Sequence, residues 1–396
     1  MSSSQNYAAL CIFLAACQAI PASPIVTVPV TQSVVETATP SPIPSETFTP
    51  SPTPTLEELI FPFTIDGLRA HKYRSGKIHI RSTLDETEKY TSYLIDYPSD
   101  GLRITGVMQI PTGDGPFPVI IMNHGFFART VFSSGDGTDR SSAFLAEHGY
   151  LTLASDYRSW GDSDIGNSFF YSGLVIDVIN LMNAVPSIPQ ADATRIGIWG
   201  HSMGGGVTLK VLTVIGGLDT CTCADLLGKS CQCTSREEQR DYSTNVHVKA
   251  AVLYSTVSAD TVDIIDRWGM GCFGDILEGE QIIGCNSSDV IALDLPMNAQ
   301  DAYRFAASDA DTLKKISPIY YLDQVTAPVQ IHYGTEDGKT SAGAPPEWSV
   351  KLTQALRDAG KYAEMYQYEG EGHSFIGEPW FDFMIRTLRF FDRYLK

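Results

Sequence analysis

The strongest constraint on this chain is a rhythm. From about residue 61, apolar runs bounded by Gly, Pro and Asp alternate with segments of helical periodicity. Strand-like runs at 118–122, 150–155, 195–199, 248–254, 329–333 and 363–368 are separated by helix-like segments near 141–148, 174–184, 205–215, 346–359 and 379–394. Such alternation predicts an α/β fold, a mostly parallel doubly wound sheet with helices on both faces. Functional residues then belong on loops at the carboxyl ends of the strands. Two earlier runs, 90–97 and 102–110, are joined by Pro98-Ser99-Asp100-Gly101, a turn signal for an antiparallel hairpin.

Two insertions interrupt the rhythm. The first, about 217–245, is polar and carries Cys221, Cys223, Cys231 and Cys233; the second, about 258–326, carries Trp268, Cys272, Cys285 and a helix-like stretch near 298–313. The second is expected to cap a site at the sheet edge or to pack beside it. We therefore divide the chain into a leader (1–17), a linker (18–58) and a large α/β domain (59–396) with these two insertions.

The leader has a short apolar run, 8–16, too short to span a bilayer, followed by Leu14-Ala15-Ala16-Cys17. That ending looks like a bacterial lipobox, in which Cys17 is lipidated and becomes the mature N-terminus. The n-region departs from the pattern, because no Lys or Arg occurs before Arg69. An ordinary signal cut near Ala19 is the alternative, and both predict a secreted or cell-envelope protein. Residues 21–55 hold nine Pro, five Ser and eight Thr, a composition that favours extended, unpacked conformers and suits a stalk. With 46 acidic against 28 basic residues, the net charge of −18 repels phosphate backbones. No nucleic-acid partner is expected, and membrane contact only through an N-terminal lipid anchor.

Gly200-His201-Ser202-Met203-Gly204 lies between the strand-like run 195–199 and the helix-like stretch 205–215, the strand–turn–helix setting of a nucleophile elbow. Ser202 would project its Oγ into the cleft, and the Met203 N–H, at a helix start, would meet developing oxyanion charge. The plainer alternative is a Gly-rich helix start with a capping Ser. An acid and a base should follow in chain order. After run 329–333 comes Gly334-Thr335-Glu336-Asp337-Gly338, and after run 363–368 comes Gly370-Glu371-Gly372-His373-Ser374-Phe375. Asp337 would orient His373, and His373 would take the Ser202 proton. Glu336 is the rival acid; the Gly334-x-x-Asp337 spacing favours Asp337. His124-Gly125-Phe126 follows run 118–122, where Phe126 N–H is the candidate second oxyanion donor and His124 a packing residue. His148, His201, His247 and His332 read as surface or loop residues of structural type. With no His-Glu-x-x-His, P-loop or strand-leading G-x-G-x-x-G, neither metal nor cofactor is expected.

From about Tyr90 onward the chain resembles the α/β-hydrolase superfamily, and within it the catalytic domains of prolyl-oligopeptidase-like (S9-type) serine hydrolases. The matching pieces are Tyr97-Pro98-Ser99-Asp100-Gly101, Asn123-His124-Gly125-Phe126, Ser155-Asp156-Tyr157-Arg158, Gly200-His201-Ser202-Met203-Gly204-Gly205, Gly334-Thr335-Glu336-Asp337 and Gly372-His373. The resemblance implies a Ser202/Asp337/His373 triad with Phe126 and Met203 as oxyanion donors. The family's larger peptidases carry a β-propeller upstream, for which the residues before the first clear strands are too few. A shorter match, His201 to Gly206 with Gly125-Phe126, is similar to cutinase-like polyester hydrolases. The expected function is hydrolysis of a carboxylic ester through an acyl-enzyme; the alternatives are an S9-type peptidase taking short peptides, and a non-catalytic surface-binding protein on the same scaffold. The six cysteines outside the leader are expected to form disulfides in an exported chain; four within 221–233 make a structural zinc the lesser alternative.

Overall fold

Nine strands form one sheet in a computed structural model that describes residues 53–74, 76–220, 247–269 and 297–396. They are β1 (His79–Glu86), β2 (Tyr90–Ser99), β3 (Leu102–Pro111), β4 (Phe117–Asn123), β5 (Leu151–Ser155), β6 (Ala191–His201), β7 (Val248–Tyr254), β8 (Val329–Gly334) and β9 (Ala363–Tyr368), in the order β1-β2-β3-β5-β4-β6-β7-β8-β9. β1 to β3 are antiparallel, β3 runs antiparallel to β5, and the pairs from β5 through β9 are parallel. The β2–β3 hairpin turns at Asp100-Gly101, both at positive φ (50° and 83°), the two-residue primed turn that matches strand twist. β1, absent from the sequence reading, is exposed along its whole length, and Ile80 and Leu84 alone make too sparse an apolar pattern to betray it.

The described helices are α1 (Leu56–Ile60), α2 (Ile65–Ala70), α3 (Asp139–Glu147), α4 (Ser172–Ala184), α5 (Met203–Thr220), α6 (Thr261–Trp268), α7 (Met297–Ser308), α8 (Ala310–Ile316), α9 (Pro346–Asp358) and α10 (Gly377–Leu395). β4 shows how they sandwich the sheet: Val119 and Ile121 face one core with α4, α5 and α9, while Ile120 and Met122 face the other with α3 and α10. A strand buried on both sides reads as a continuous apolar run, which is why β4 to β8 were visible in the sequence. Among the described residues, Phe169–Ser187 is long and apolar enough to cross a membrane, yet it is mostly buried and is a core segment built around α4.

Three boundaries differ from the sequence reading. α1 starts at Leu56, inside the segment assigned by composition to the linker, because Thr55 and Glu58 close a capping box. The helix expected near 298–313 is two helices, since the Asp309 carboxylate accepts the Thr312 N–H and ends the first while starting the second. α6 was not expected. These insertion helices form a third core with Ile60, Phe169 and Phe170. Cys17, the linker to residue 52 and every cysteine of the chain lie outside the described residues, as do 221–246 and 270–296 of the insertions.

Candidate active site

Ser202 joins β6 to α5 at φ 55°, a left-handed conformation that a non-glycine residue holds only when its surroundings over-determine it. The determinants are visible. Its N–H donates to the Tyr254 carbonyl (2.9 Å), and its own carbonyl accepts from Gly205 (2.9 Å) and Val257 (3.2 Å). The flanking glycines are required by contact: a Cβ on Gly204 would collide with the Asn123 carbonyl, and one on Gly200 with the Gly204 carbonyl. Met203 N–H stands at the first helical position, one of the four amides that an α-helix leaves unpaired. The oxyanion-loop candidate comes close by the same logic, since a Cβ on Gly125 would lie 3.1 Å from Ser202 Cβ, with Phe126 the next residue.

The acid and base loops meet at the ends of β8 and β9. His373 Nδ1 lies 3.0 Å from both carboxylate oxygens of Asp337, whose side chain is 1% exposed. Assigning the Nδ1 proton to this pair leaves Nε2 as the ring's acceptor. Glu336, the rival, instead pairs with Lys339 at the surface. The His373 segment is drawn toward the elbow through His201, whose Nε2 is 2.9 Å from the His373 carbonyl and whose ring centroid is 4.9 Å from that of His373. Tyr254 completes the bracket by stacking on His201 (4.5 Å) and accepting the Phe375 N–H.

Residues to which the sequence reading assigned no site role hold these loops. Arg267 of α6 donates to the Gly338 (2.9 Å) and Thr340 (2.8 Å) carbonyls, and Trp268 Nε1 donates to Ser341 (2.6 Å), so the insertion helix grips the loop directly after Asp337. Trp160 likewise fixes the oxyanion loop, donating from Nε1 to the Phe127 carbonyl (2.9 Å). Ser155-Asp156-Tyr157-Arg158, matched as a motif without a role, is a structural knot: Arg158 pairs with Asp177, and Asp156 accepts from Thr105 and Ser134. His332 corrects the surface-or-loop reading. It is fully buried in β8, with Nδ1 3.0 Å from the Tyr368 hydroxyl and Nε2 2.8 Å from Gln330 Oε1, so both ring nitrogens are satisfied inside the core.

His124 is buried against Tyr157 and Phe132, as a packing residue should be, with Nδ1 2.7 Å from the Gly125 carbonyl. Burial holds its pKa down to about 4. The unfolded chain therefore binds a proton that the native state refuses between about pH 6.5 and 4, and stability present above that window is lost as pH falls through it. We expect His124 to account for a loss of about 3 kcal/mol across this range. Asp156, pushed up to about 6 by burial, acts in the opposite sense over its own window. The clean measurement is the difference in urea midpoint between wild type and His124→Gln as a function of pH, expected to narrow as the solution is acidified; a parallel offset would contradict it.

The acetyl xylan esterase (AXE1) family model matches residues 159–223, from the β5–α4 loop through the elbow and α5. Esterase FrsA of Shigella boydii serotype 18 is 30% identical over 111 residues, 28% of this chain and 25% of that protein. The chain spans little more than a third of the length of the curated relatives it matches, or less. An acetyl xylan esterase from Paenibacillus sp. R4 superposes over 88% of this chain and 98% of its own, with a TM-score of 0.54 at 16% identity. The chain has the α/β-hydrolase fold. A puromycin-hydrolyzing peptidase of Mycobacterium tuberculosis shares the fold over 78% of this chain and 40% of its own, with a TM-score of 0.50 at 18% identity. Within this fold, the β6–α5 turn, the Asp337 loop after β8 and the His373 loop after β9 stand at the carboxyl edge of the sheet, where the alternating pattern predicted them.

Proposed function

We propose that this chain hydrolyses carboxylic esters by acyl transfer to Ser202. The observation that carries the reading is the buried Asp337 carboxylate on His373 Nδ1, held one residue from the strained elbow through His201. His373 Nε2 takes the Ser202 proton as Oγ bonds to the ester carbonyl carbon, and the Met203 and Phe126 N–H groups bear the charge that moves onto the carbonyl oxygen. The proton then passes to the departing alkoxide as the carbonyl re-forms, leaving an acyl-Ser202 and an alcohol. Water repeats the sequence, giving the acid and restoring Oγ–H. Asp337 keeps the imidazole in the Nδ1–H tautomer and stabilises the imidazolium between steps. The AXE1 match and the FrsA similarity support esters over peptides as the substrate class. The leader supports export, with Cys17 as the lipidated residue and the Pro-, Ser- and Thr-rich residues ahead of α1 as the tether, and mass spectrometry of the mature N-terminus tests that placement.

The deciding experiment is a panel of p-nitrophenyl esters of graded chain length beside peptide anilides, with fluorophosphonate labelling of the folded protein. We expect label on Ser202 and turnover of the short esters. A preference above about a hundredfold for anilides would favour the peptidase, and an unlabelled folded protein would favour the non-catalytic scaffold.

A further inference from the structure

A second concavity lies away from the catalytic edge, between the antiparallel end of the sheet and the start of α3. Its volume is 140 Å³, close to the ~150 Å³ of a cavity that accommodates one six-membered ring. Its chemistry is unusual for a sheet–helix junction. Ser92, Gln109 and Thr152 project from β2, β3 and β5, all at most 6% exposed, where apolar side chains would normally pack. Thr152 Oγ1 donates to Gln109 Oε1 (3.2 Å), which leaves the Gln109 amide N–H groups to the cavity.

The decisive side chain comes from the helix. Ser142 lines the cavity, is 3% exposed, and its Oγ has no hydrogen-bond partner among the described residues. A buried hydroxyl left unpaired costs stability, and such groups in native proteins call for an occupant that completes them. Val107 and Ala154, paired across β3 and β5, supply a small apolar wall, and half-exposed Leu84 of β1 stands beside it. Among the described lining residues there is no cation, while Asp139 contributes a carboxylate. An anion is therefore disfavoured even at a helix start, where it would otherwise be welcome. What remains is a neutral ring carrying several hydroxyls, with donors and acceptors for the polar wall and C–H edges for the apolar one.

We propose that this cavity is a binding site for a single neutral sugar ring, separate from the Ser202 centre. Ala154 is in register with Met122 and Met122 with Trp199, so strand spacing and rise put Ala154 roughly 14 Å from Ser202. The two sites share a loop: Phe126 begins and Ser134 to Thr138 end the segment between β4 and α3, and Ser134 Oγ is anchored on Asp156. The sugar site stands on its own geometry and does not depend on the esterase reading.

Saturation-transfer NMR on the full chain with methyl β-D-glucopyranoside and D-xylose tests it, with benzoate as an anionic ring of similar size. We expect transfer to at least one sugar with a millimolar Kd and none to benzoate, unchanged in Ser202→Ala. Ser142→Ala removes a hydroxyl that has no partner among the described residues, so it should fold, turn over p-nitrophenyl acetate like wild type, and bind the sugar about fivefold more weakly. Gln109→Leu provides the same test from the opposite wall. No transfer from either sugar up to about 100 mM, equal transfer to benzoate, or sugar binding unaltered in both variants would overturn the proposal.

Discussion

Ser202→Ala should lower turnover of p-nitrophenyl acetate by about 10⁴-fold or more while leaving the thermal transition where it is. The stability half of that expectation follows from what holds the elbow. The strained φ is maintained by backbone bonds to Tyr254, Gly205 and Val257 and by the close approach of Gly204 to Asn123, none of which involves Oγ. The activity half follows from the proposed role of Ser202 Oγ as the atom that accepts the acyl group. The acid can be assigned in the same assay. Asp337→Asn should cost about 10⁴-fold, because an amide facing Nδ1 reverses the tautomer and turns the free ring nitrogen into a donor. Glu336→Gln should change kcat by less than about twofold, since Glu336 spends its charge on Lys339 in solvent. If the two substitutions cost alike, the acid is not Asp337 alone. If Ser202→Ala retains wild-type turnover, the nucleophile has been misassigned.

The elements easiest to read from the sequence are those whose physics is local. β4 and β7 are unbroken apolar runs because both faces are covered, and the elbow glycines stand where close approach forbids a Cβ. Asp337 and His373 could be placed because each follows a strand directly, so their convergence is a property of the sheet edge. What escaped notice is tertiary in origin. β1 is exposed along its length, with Ile80 and Leu84 its only large apolar residues, and is a strand because β2 offers it an edge. His332 sits in a strand core that tolerates it because Tyr368 and Gln330 receive its nitrogens, a circumstance settled by register with β9. α6 matters for the acid loop through Arg267 and Trp268, yet the loop carbonyls they reach lie more than seventy positions away. Asp309 was legible in principle, as a capping residue one position before Ala310 and three before Thr312, whose N–H it accepts, but its side chain competes with a helical period that continues across it.

Breaking the Arg158–Asp177 pair should have the largest effect on stability of any single polar substitution outside the catalytic loops. Asp177 is fully buried and accepts four hydrogen bonds: from Arg158 N (2.8 Å), Nε (3.0 Å) and Nη2 (2.8 Å), and from Ser99 Oγ (2.6 Å). The pair thus ties the end of β5 and the start of α4 to the end of β2. In Asp177→Ala the guanidinium, 8% exposed, keeps only the Asn167 carbonyl (3.1 Å) and stays charged in the core. We expect a loss of about 3–5 kcal/mol, most of it the cost of the stranded cation. The double variant Arg158→Met with Asp177→Ala separates that cost from the bridge itself. Removing both charges should recover part of the loss, because desolvating two ions offsets much of their mutual attraction. Chemical denaturation of Asp177→Ala, Arg158→Met and the double variant gives the coupling directly. Should the double variant be as unstable as the sum of the singles, the pair is not acting as a unit, and the stability of this corner must come from the backbone bond between Arg158 N and the Asp177 carboxylate or from the neighbouring Tyr97 hydroxyl, which contacts Ser155 Oγ (2.7 Å) and the Asp177 carbonyl (3.1 Å).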